Sequence, residues 1–175
     1  MTGQQFYDWQ TAGGAGDVTL LVDTLAKLDV NWCMIGGLAV NHWAEEPMAT
    51  ADVDLVVALD AITETVAALE AVGFVAERFE WSVNLKGHSK VSVQISTEEF
   101  YREFPGRSIP ADIHGIPMRV ASLDDTMKGK VQAWRDPDRR RSKRQKDLTD
   151  ILRLIEAHPE LEAKLPAEVQ QKIGD

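Results

Sequence analysis

Two aspartates that lie two positions apart, Asp52 and Asp54, are the residues in this sequence whose spacing best suits a catalytic or metal-binding site. They open the apolar run from Asp52 to Leu59, which predicts a buried strand in the middle of a sheet. Residues two apart on a strand project from the same face, so both carboxylates can converge on one divalent cation. The structural alternative makes one aspartate a helix or turn cap and leaves the other exposed.

A glycine pair, Gly36-Gly37, follows the short apolar run Asn31 to Ile35 and precedes a helix-favouring stretch, Leu38 to Ala44. The pattern predicts a strand, a glycine turn and a helix. Backbone N–H groups in such a turn can approach a phosphate closely, and the helix N-terminus adds partial positive charge. Glycines also terminate many ordinary strands, so the pair becomes specific only in combination with the acid pair.

In combination these motifs resemble those of the DNA polymerase beta-like nucleotidyltransferase superfamily, and within it the small bacterial proteins related to the AbiEii toxin family. The resemblance is carried by Gly36-Gly37, by the segment Thr50 to Leu55, and by lysines on a later predicted helix. It continues through a basic stretch that runs into Asp147-Leu148-Thr149-Asp150. It covers the chain from about Val30 to Pro159.

The resemblance implies transfer of a nucleotide from a nucleoside triphosphate to a hydroxyl of an RNA, such as a tRNA-like acceptor, or of a protein. It also implies a toxin-antitoxin role with an antitoxin partner. Asp52 and Asp54 are then the catalytic, magnesium-holding residues. The implied nucleotide-binding residues are Gly36, Gly37, Thr50, Lys130, Arg144 and Lys146.

Two positions depart from the family pattern. Where active members carry a third carboxylate on a later strand, this sequence has Gln94, which cannot act as a base and argues against a complete two-ion site. Where related sequences often have an arginine shortly before the acid pair, it has Met48. The alternative function is therefore a catalytically impaired module of the same fold that binds a nucleotide or a protein.

The basic residues leave further alternatives open. Lys128 and Lys130 are two apart on a predicted helix and cannot share one face, and either could be solvated. The arginine-rich stretch from Arg139 to Lys146 could clamp phosphates or be a solvated face. A third interpretation, an interaction subunit, predicts that its arginines pair with Asp52 and Asp54.

The predicted fold is α/β (α+β): a nucleotidyltransferase fold with a mixed central sheet, flanking helices and C-terminal helices. Residues 1–16 are predicted to be a flexible N-terminus and residues 17–175 a single domain. Asp17 is expected to cap the first helix and Asp60 the helix after the acid-bearing strand. The remaining elements are predicted as strands at Val83–Leu85, Val91–Ile95, Ile109–His114 and Ile116–Ala121, and as helices starting near Ser122, Lys146 and Pro166.

Composition bounds the remaining possibilities. With 175 residues, 44% apolar residues and a net charge of -9, the chain suits one globular core and does not suit unspecific binding to nucleic acid or anionic membrane. Its one cysteine, Cys33, is expected to be a small buried hydrophobe. No signal peptide or apolar stretch of about 20 residues is present, so a cytoplasmic protein without membrane contact is expected.

Overall fold

The computed structural model describes residues 14–113 and 115–174. The division into a flexible N-terminus and one domain stays a prediction, because residues 1–13 lie outside this range. The first helix of the described residues covers Gly14–Leu28, so it includes three residues before the expected start at Asp17. None of the described helices is long and apolar enough to cross a bilayer.

Helices and strands are interspersed along the described chain, with three strands in succession at its centre and three helices in succession at its end. Short 3₁₀ turns at Leu59–Ala61, Glu99–Tyr101 and Pro159–Lys164 join some of them. The elements are α1 (Gly14–Leu28), β1 (Trp32–Ile35), α2 (Gly36–Trp43), β2 (Asp52–Val57), α3 (Ile62–Ala71), β3 (Val75–Arg78), β4 (Ser82–Lys86), β5 (Ser92–Ser96), α4 (Phe104–Arg107), β6 (Ile109–Ile113), β7 (Ile116–Val120), α5 (Leu123–Arg135), α6 (Arg141–Ala157) and α7 (Ala167–Ile173).

Within the described residues the strands form one mixed sheet of seven strands in the order β3-β4-β5-β2-β1-β7-β6. β2, which carries the acid pair, is the central strand, as its apolar composition predicts. It runs antiparallel to β1 and parallel to β5. The fold class is therefore confirmed: an α/β mixed sheet with flanking helices.

The two faces of the sheet are covered differently. On one face α1 and α3 contribute Leu21, Leu25 and Leu69 to the main core, against strand residues such as Leu55. On the other face α5, α6 and α7 form a second core with the end of α2, while Tyr101 and Phe104 cover Val56 and the buried Cys33. Cys33 is fully buried, which confirms the predicted core position, and burial raises the pKa of its thiol to about 12.

Several local predictions are wrong. Asp17 lies inside α1, and its carboxylate accepts hydrogen bonds from the backbone N–H groups of His88 and Ser89 instead of capping its own helix. Asp60 lies in the 3₁₀ turn Leu59–Ala61, and Ala61 occupies the N-cap of α3. The edge strand β3 escaped prediction because Val75–Arg78 shows no apolar alternation and is mostly exposed.

The other predicted elements are present, although the helix expected to start near Lys146 begins at Arg141 and includes part of the basic stretch. Gly115, with φ of 84°, forms the turn between β6 and β7. The hydroxyl of Ser122 accepts a hydrogen bond from the N–H of Asp125 at the start of α5. Pro159 follows the end of α6 at Ala157, as its missing N–H requires.

Candidate active site

The site is built where β1 ends and β2 begins, because these antiparallel neighbours bring the glycine turn beside the acid pair. Ile35 is paired with Asp54, so the chain reaches Gly36 directly next to that carboxylate. Gly36 has φ of 71°, and a Cβ added there would lie 3.1 Å from Cβ and Cγ of Asp54. Only glycine therefore lets the backbone turn this close to Asp54.

A second group of predicted residues meets at Gly37. The ammonium nitrogen of Lys146 lies 3.5 Å, and the hydroxyl oxygen of Thr50 3.9 Å, from the place that a Cβ on Gly37 would take. The same hydroxyl accepts a hydrogen bond of 3.2 Å from the N–H of Asp52. A backbone turn, a hydroxyl and a cation thus face one small space, which is the donor set that phosphate oxygens require.

The electrostatics of Asp54 are set by burial. Desolvation raises the pKa of its carboxyl, and the neighbouring Asp52 raises it further. The positive charges of Lys130, Lys146 and Arg139 oppose this shift. The net upward direction means that the surrounding protein does not neutralise the carboxylate completely, so an additional cation would stabilise its charged form.

The donors available for a metal ion are the two carboxylates and one amide. Gln94 is paired with Asp54 across β5 and β2, so its side chain projects from the same sheet face, and it is exposed. Within residues 14–113 and 115–174 no group of three or more His, Cys, Asp or Glu could hold a metal. Two carboxylates still fit magnesium, which commonly takes one or two carboxylates together with substrate phosphates and water.

Lys130 occupies a buried position under the site and is not solvated. Its ammonium group forms ion pairs with Asp150 at 2.9 Å and with Asp147 at 3.4 Å, and both carboxylates are fully buried. Arg139 makes two hydrogen bonds to Asp147, of 2.6 Å and 3.1 Å. The Asp-x-x-Asp motif therefore holds cations that act on Asp54.

Lys143 and Arg144 are placed differently from each other. The Lys143 ammonium lies 3.8 Å from a carboxylate oxygen of Asp52 at the open edge of the site. The Arg144 guanidinium stacks on the Trp134 ring at 5.6 Å and donates a hydrogen bond to the Trp134 carbonyl. Of the predicted nucleotide-binding residues, Thr50 and Lys146 thus lie at the glycine turn, whereas Arg144 contacts Trp134 and Lys130 contacts Asp147 and Asp150.

Some functional candidates escaped prediction from the sequence. The ion-pair network of Arg139 with Asp147 had no signal in the sequence beyond the Asp-x-x-Asp spacing. Tyr101 lies under the site: burial raises the pKa of its phenol, and the charges of Glu98, Asp54 and Asp147 add to this shift. Its place in a short 3₁₀ turn, Glu99–Tyr101, gave no periodic pattern that could have pointed to the acid pair.

Comparison with solved structures defines the class of protein. The fold is similar to that of ANT(2")-Ia in complex with adenylyl-2"-tobramycin, at a TM-score of 0.60 and 17% identity over 82% of this chain and 90% of that chain. It is also similar to a nucleotidyltransferase-like antigen of Paracoccidioides brasiliensis, at a TM-score of 0.56, 20% identity and coverage of 91% and 84%. A lincosamide adenylyltransferase, LnuA, aligns at a TM-score of 0.55 with 11% identity over 79% of this chain and 96% of that chain. The fold is therefore the nucleotidyltransferase fold.

The sequence then gives the family. Residues 19–174 match the family described as "Nucleotidyl transferase AbiEii toxin, Type IV TA system". Because this match spans nearly the whole chain, the protein belongs to the AbiEii nucleotidyltransferase toxin family. A comparison with curated proteins gives no match.

Proposed function

We propose that this protein transfers a nucleoside monophosphate from a nucleoside triphosphate to a hydroxyl acceptor, as the toxin of a bacterial, cytoplasmic toxin-antitoxin pair. The observation that carries the proposal is the juxtaposition of Asp52 and Asp54 with the glycine turn and Lys146. Membership of the AbiEii family supports the same activity. The antibiotic adenylyltransferases named above share the fold alone and do not identify the acceptor.

In this proposal one group of residues binds the triphosphate, and a second group holds magnesium and sets the charge around it. The N–H groups of the Gly36-Gly37 turn, the Thr50 hydroxyl and the Lys146 ammonium bind the triphosphate. Asp52 and Asp54 hold magnesium, which when bound neutralises phosphate charge and polarises the phosphorus centre. Lys130, fixed by its two buried aspartates, keeps a positive charge near Asp54.

The reaction is an in-line displacement at the α-phosphorus. The acceptor oxygen forms a new bond to that phosphorus, the bond to pyrophosphate breaks, and the hydroxyl proton passes to solvent. Gln94 stands beside Asp54 and offers an amide where a carboxylate could take this proton. A positioned general base contributes a factor on the order of 10² to 10⁴ in rate. We therefore expect slow transfer to acceptors in bulk bacterial RNA or protein.

Gln94 also favours a second candidate function, a module that binds a nucleotide or an antitoxin without transferring anything. The third interpretation, in which the acid pair is neutralised by arginines, is disfavoured because Arg139 acts on Asp54 through its charge but does not form an ion pair with it. Arg139 pairs with Asp147 instead, and the residue that reaches Asp52 is Lys143. The acid pair therefore remains open to a cation.

The test is a transfer assay with two labels. Purified protein is incubated with magnesium, bacterial RNA or bacterial protein, and each ribonucleoside triphosphate labelled at the α-phosphate or the γ-phosphate. Nucleotidyl transfer labels the acceptor from the α-label and not from the γ-label. The matched control is the double variant Asp52→Asn, Asp54→Asn, which keeps side-chain size. Absence of acceptor labelling together with retained nucleotide binding would favour the module without transfer chemistry.

A further inference from the structure

The α2–β2 connection, residues 44–51, has no regular structure and is mostly exposed. It nevertheless joins the helix that follows the glycine turn to the strand that carries the acid pair. Its last residues set the positions of Thr50 beside Gly37 and of Asp52 at the start of β2. Small displacements of this connection would therefore separate the phosphate-binding groups from the metal-binding carboxylates.

Side chains from two helices hold the connection in place. The amide of Asn41 on α2 brackets Met48: its Nδ2 donates to the Met48 carbonyl at 2.7 Å, and its Oδ1 accepts from the Met48 N–H at 2.9 Å. Arg153 on α6 donates from Nη2 to the carbonyl of Glu46 at 2.6 Å and to Oδ1 of Asn41 at 2.8 Å. The guanidinium thus binds both the connection and the residue that brackets it.

Arg153 also joins this connection to the buried ion pairs under Asp54. Its Nη1 donates to Oδ1 of Asp150 at 2.9 Å, and the other oxygen of that carboxylate pairs with Lys130 at 2.9 Å. The Arg153 side chain is only 13% exposed and Asp150 is fully buried, so solvent screens these bonds little. One planar group therefore makes three hydrogen bonds in fixed directions, which a lysine ammonium reproduces poorly.

We infer that Arg153 is a positioning residue for the nucleotide site. It holds the α2–β2 connection against α6, so that Thr50 and Asp52 keep their places relative to Gly37 and Lys146. This role rests on the proposed function, because it concerns the same nucleotide site.

The test compares Arg153→Met with Arg107→Met. Arg107 is a matched control, because it donates from Nε and Nη2 to Asp125, a carboxylate only 1% exposed, at 2.8 Å and 3.1 Å. Both substitutions leave a buried carboxylate without its arginine, so both should lower the melting temperature. Only the Arg153 substitution should loosen the α2–β2 connection.

Two measurements separate positioning from stability. Hydrogen exchange of residues 44–52 without nucleotide should accelerate tenfold or more in Arg153→Met and stay unchanged in Arg107→Met. The Kd for magnesium with ATP, GTP, CTP or UTP, measured by calorimetry, should rise tenfold or more in Arg153→Met, less in Arg153→Lys, and within twofold of the parent in Arg107→Met. The tenfold changes in exchange rate and in Kd follow from the lost hydrogen bonds of the Arg153 guanidinium. Each hydrogen bond to a charged group changes an equilibrium constant by about tenfold or more.

Two outcomes overturn the inference: unchanged exchange in residues 44–52 of Arg153→Met, or equal loss of affinity in both variants. The exchange measurement needs no ligand, so it decides the positioning role even if the parent protein binds none of the four nucleotides. That failure of the parent would count against the proposed function instead. The two failures are therefore distinguishable.

Discussion

Replacing the two glycines of the turn one at a time should separate stability from nucleotide binding. Gly36 has φ of 71°, and a Cβ there would press on Asp54. Alanine in the left-handed region costs about 1–2 kcal/mol, so Gly36→Ala should lower the melting temperature by about 2–8 °C. It should also displace the Asp54 carboxylate and abolish magnesium-dependent nucleotide binding.

Gly37→Ala should have the opposite effect on stability. Gly37 is the second residue of the helix α2, and its added Cβ would be 3.5 Å from the Lys146 nitrogen, an ordinary contact distance. Alanine in a helix is about 0.5–1 kcal/mol better than glycine, so the melting temperature should stay equal or rise by about 1–4 °C. The methyl group would, however, fill the space between the backbone and Lys146 where we place a phosphate.

The affinity of Gly37→Ala should therefore fall although the protein is intact. Hydrogen bonds to charged groups contribute about 1.5–3 kcal/mol, so excluding one phosphate contact should weaken binding by about 10- to 100-fold. Scanning calorimetry and nucleotide titration measure the two effects separately. Gly106→Ala is the control, because nothing lies within 4 Å of its added Cβ. A Gly37→Ala protein that binds nucleotide like its parent would refute the assignment of the turn to phosphate.

Three further predictions concern single carboxylates and the amide. Without magnesium, Asp54→Asn should raise the melting temperature at pH 7 by a few degrees. Burial raises the Asp54 pKa above its ordinary 3.8, so folding stability is lost as pH rises from about 3.8 through the raised pKa. An unchanged or lower melting temperature of Asp54→Asn in a pH series would contradict this. Asp17→Ala should cost about 1–3 kcal/mol, because Ser89 and His88 lose their acceptor. Burial alone would raise the Asp17 pKa, but hydrogen bonds from Ser89 and His88 lower it below its ordinary 3.8. The contribution should therefore be complete above about 3.8 and be lost as pH falls through the lowered pKa, which calorimetry across pH checks. Gln94→Glu should tighten magnesium binding, read from a magnesium titration of the melting temperature, and equal affinity would show that position 94 does not face the ion.

The central part of the site could be predicted from the sequence because its chemistry depends on local spacing. Asp52 and Asp54 share a face through strand periodicity, and Gly36-Gly37 form a turn because a strand meets a helix there. The family resemblance added Thr50, Lys130 and Lys146. The AbiEii family and the nucleotidyltransferase fold are confirmed, whereas the roles of the individual site residues and the magnesium site stay predictions.

The rest depends on contacts between distant parts of the chain. Asp17 has the composition of a helix cap, yet tertiary hydrogen bonds to residues 88 and 89 take its carboxylate. Arg144 belongs to a basic run that indicates phosphate binding, yet stacking on Trp134 directs it elsewhere. Arg153 lies 107 residues from Glu46 in sequence, so no local pattern could predict their hydrogen bond. β3 is an exposed edge strand, so neither of its faces must be apolar and its sequence shows no alternation of apolar and polar residues.

Thermal unfolding with magnesium and each ribonucleoside triphosphate tests the central claim most directly, because a ligand that binds only the folded state stabilises it by mass action. At a concentration of 100 Kd the gain is about 2.7 kcal/mol, which corresponds to about 5–10 °C for a chain of this size. We predict a shift of this size that requires magnesium and disappears in the Asp52→Asn, Asp54→Asn variant. A shift that persists without magnesium or in that variant, or no shift with any of the four nucleotides, would contradict a metal-dependent nucleotide site at the acid pair.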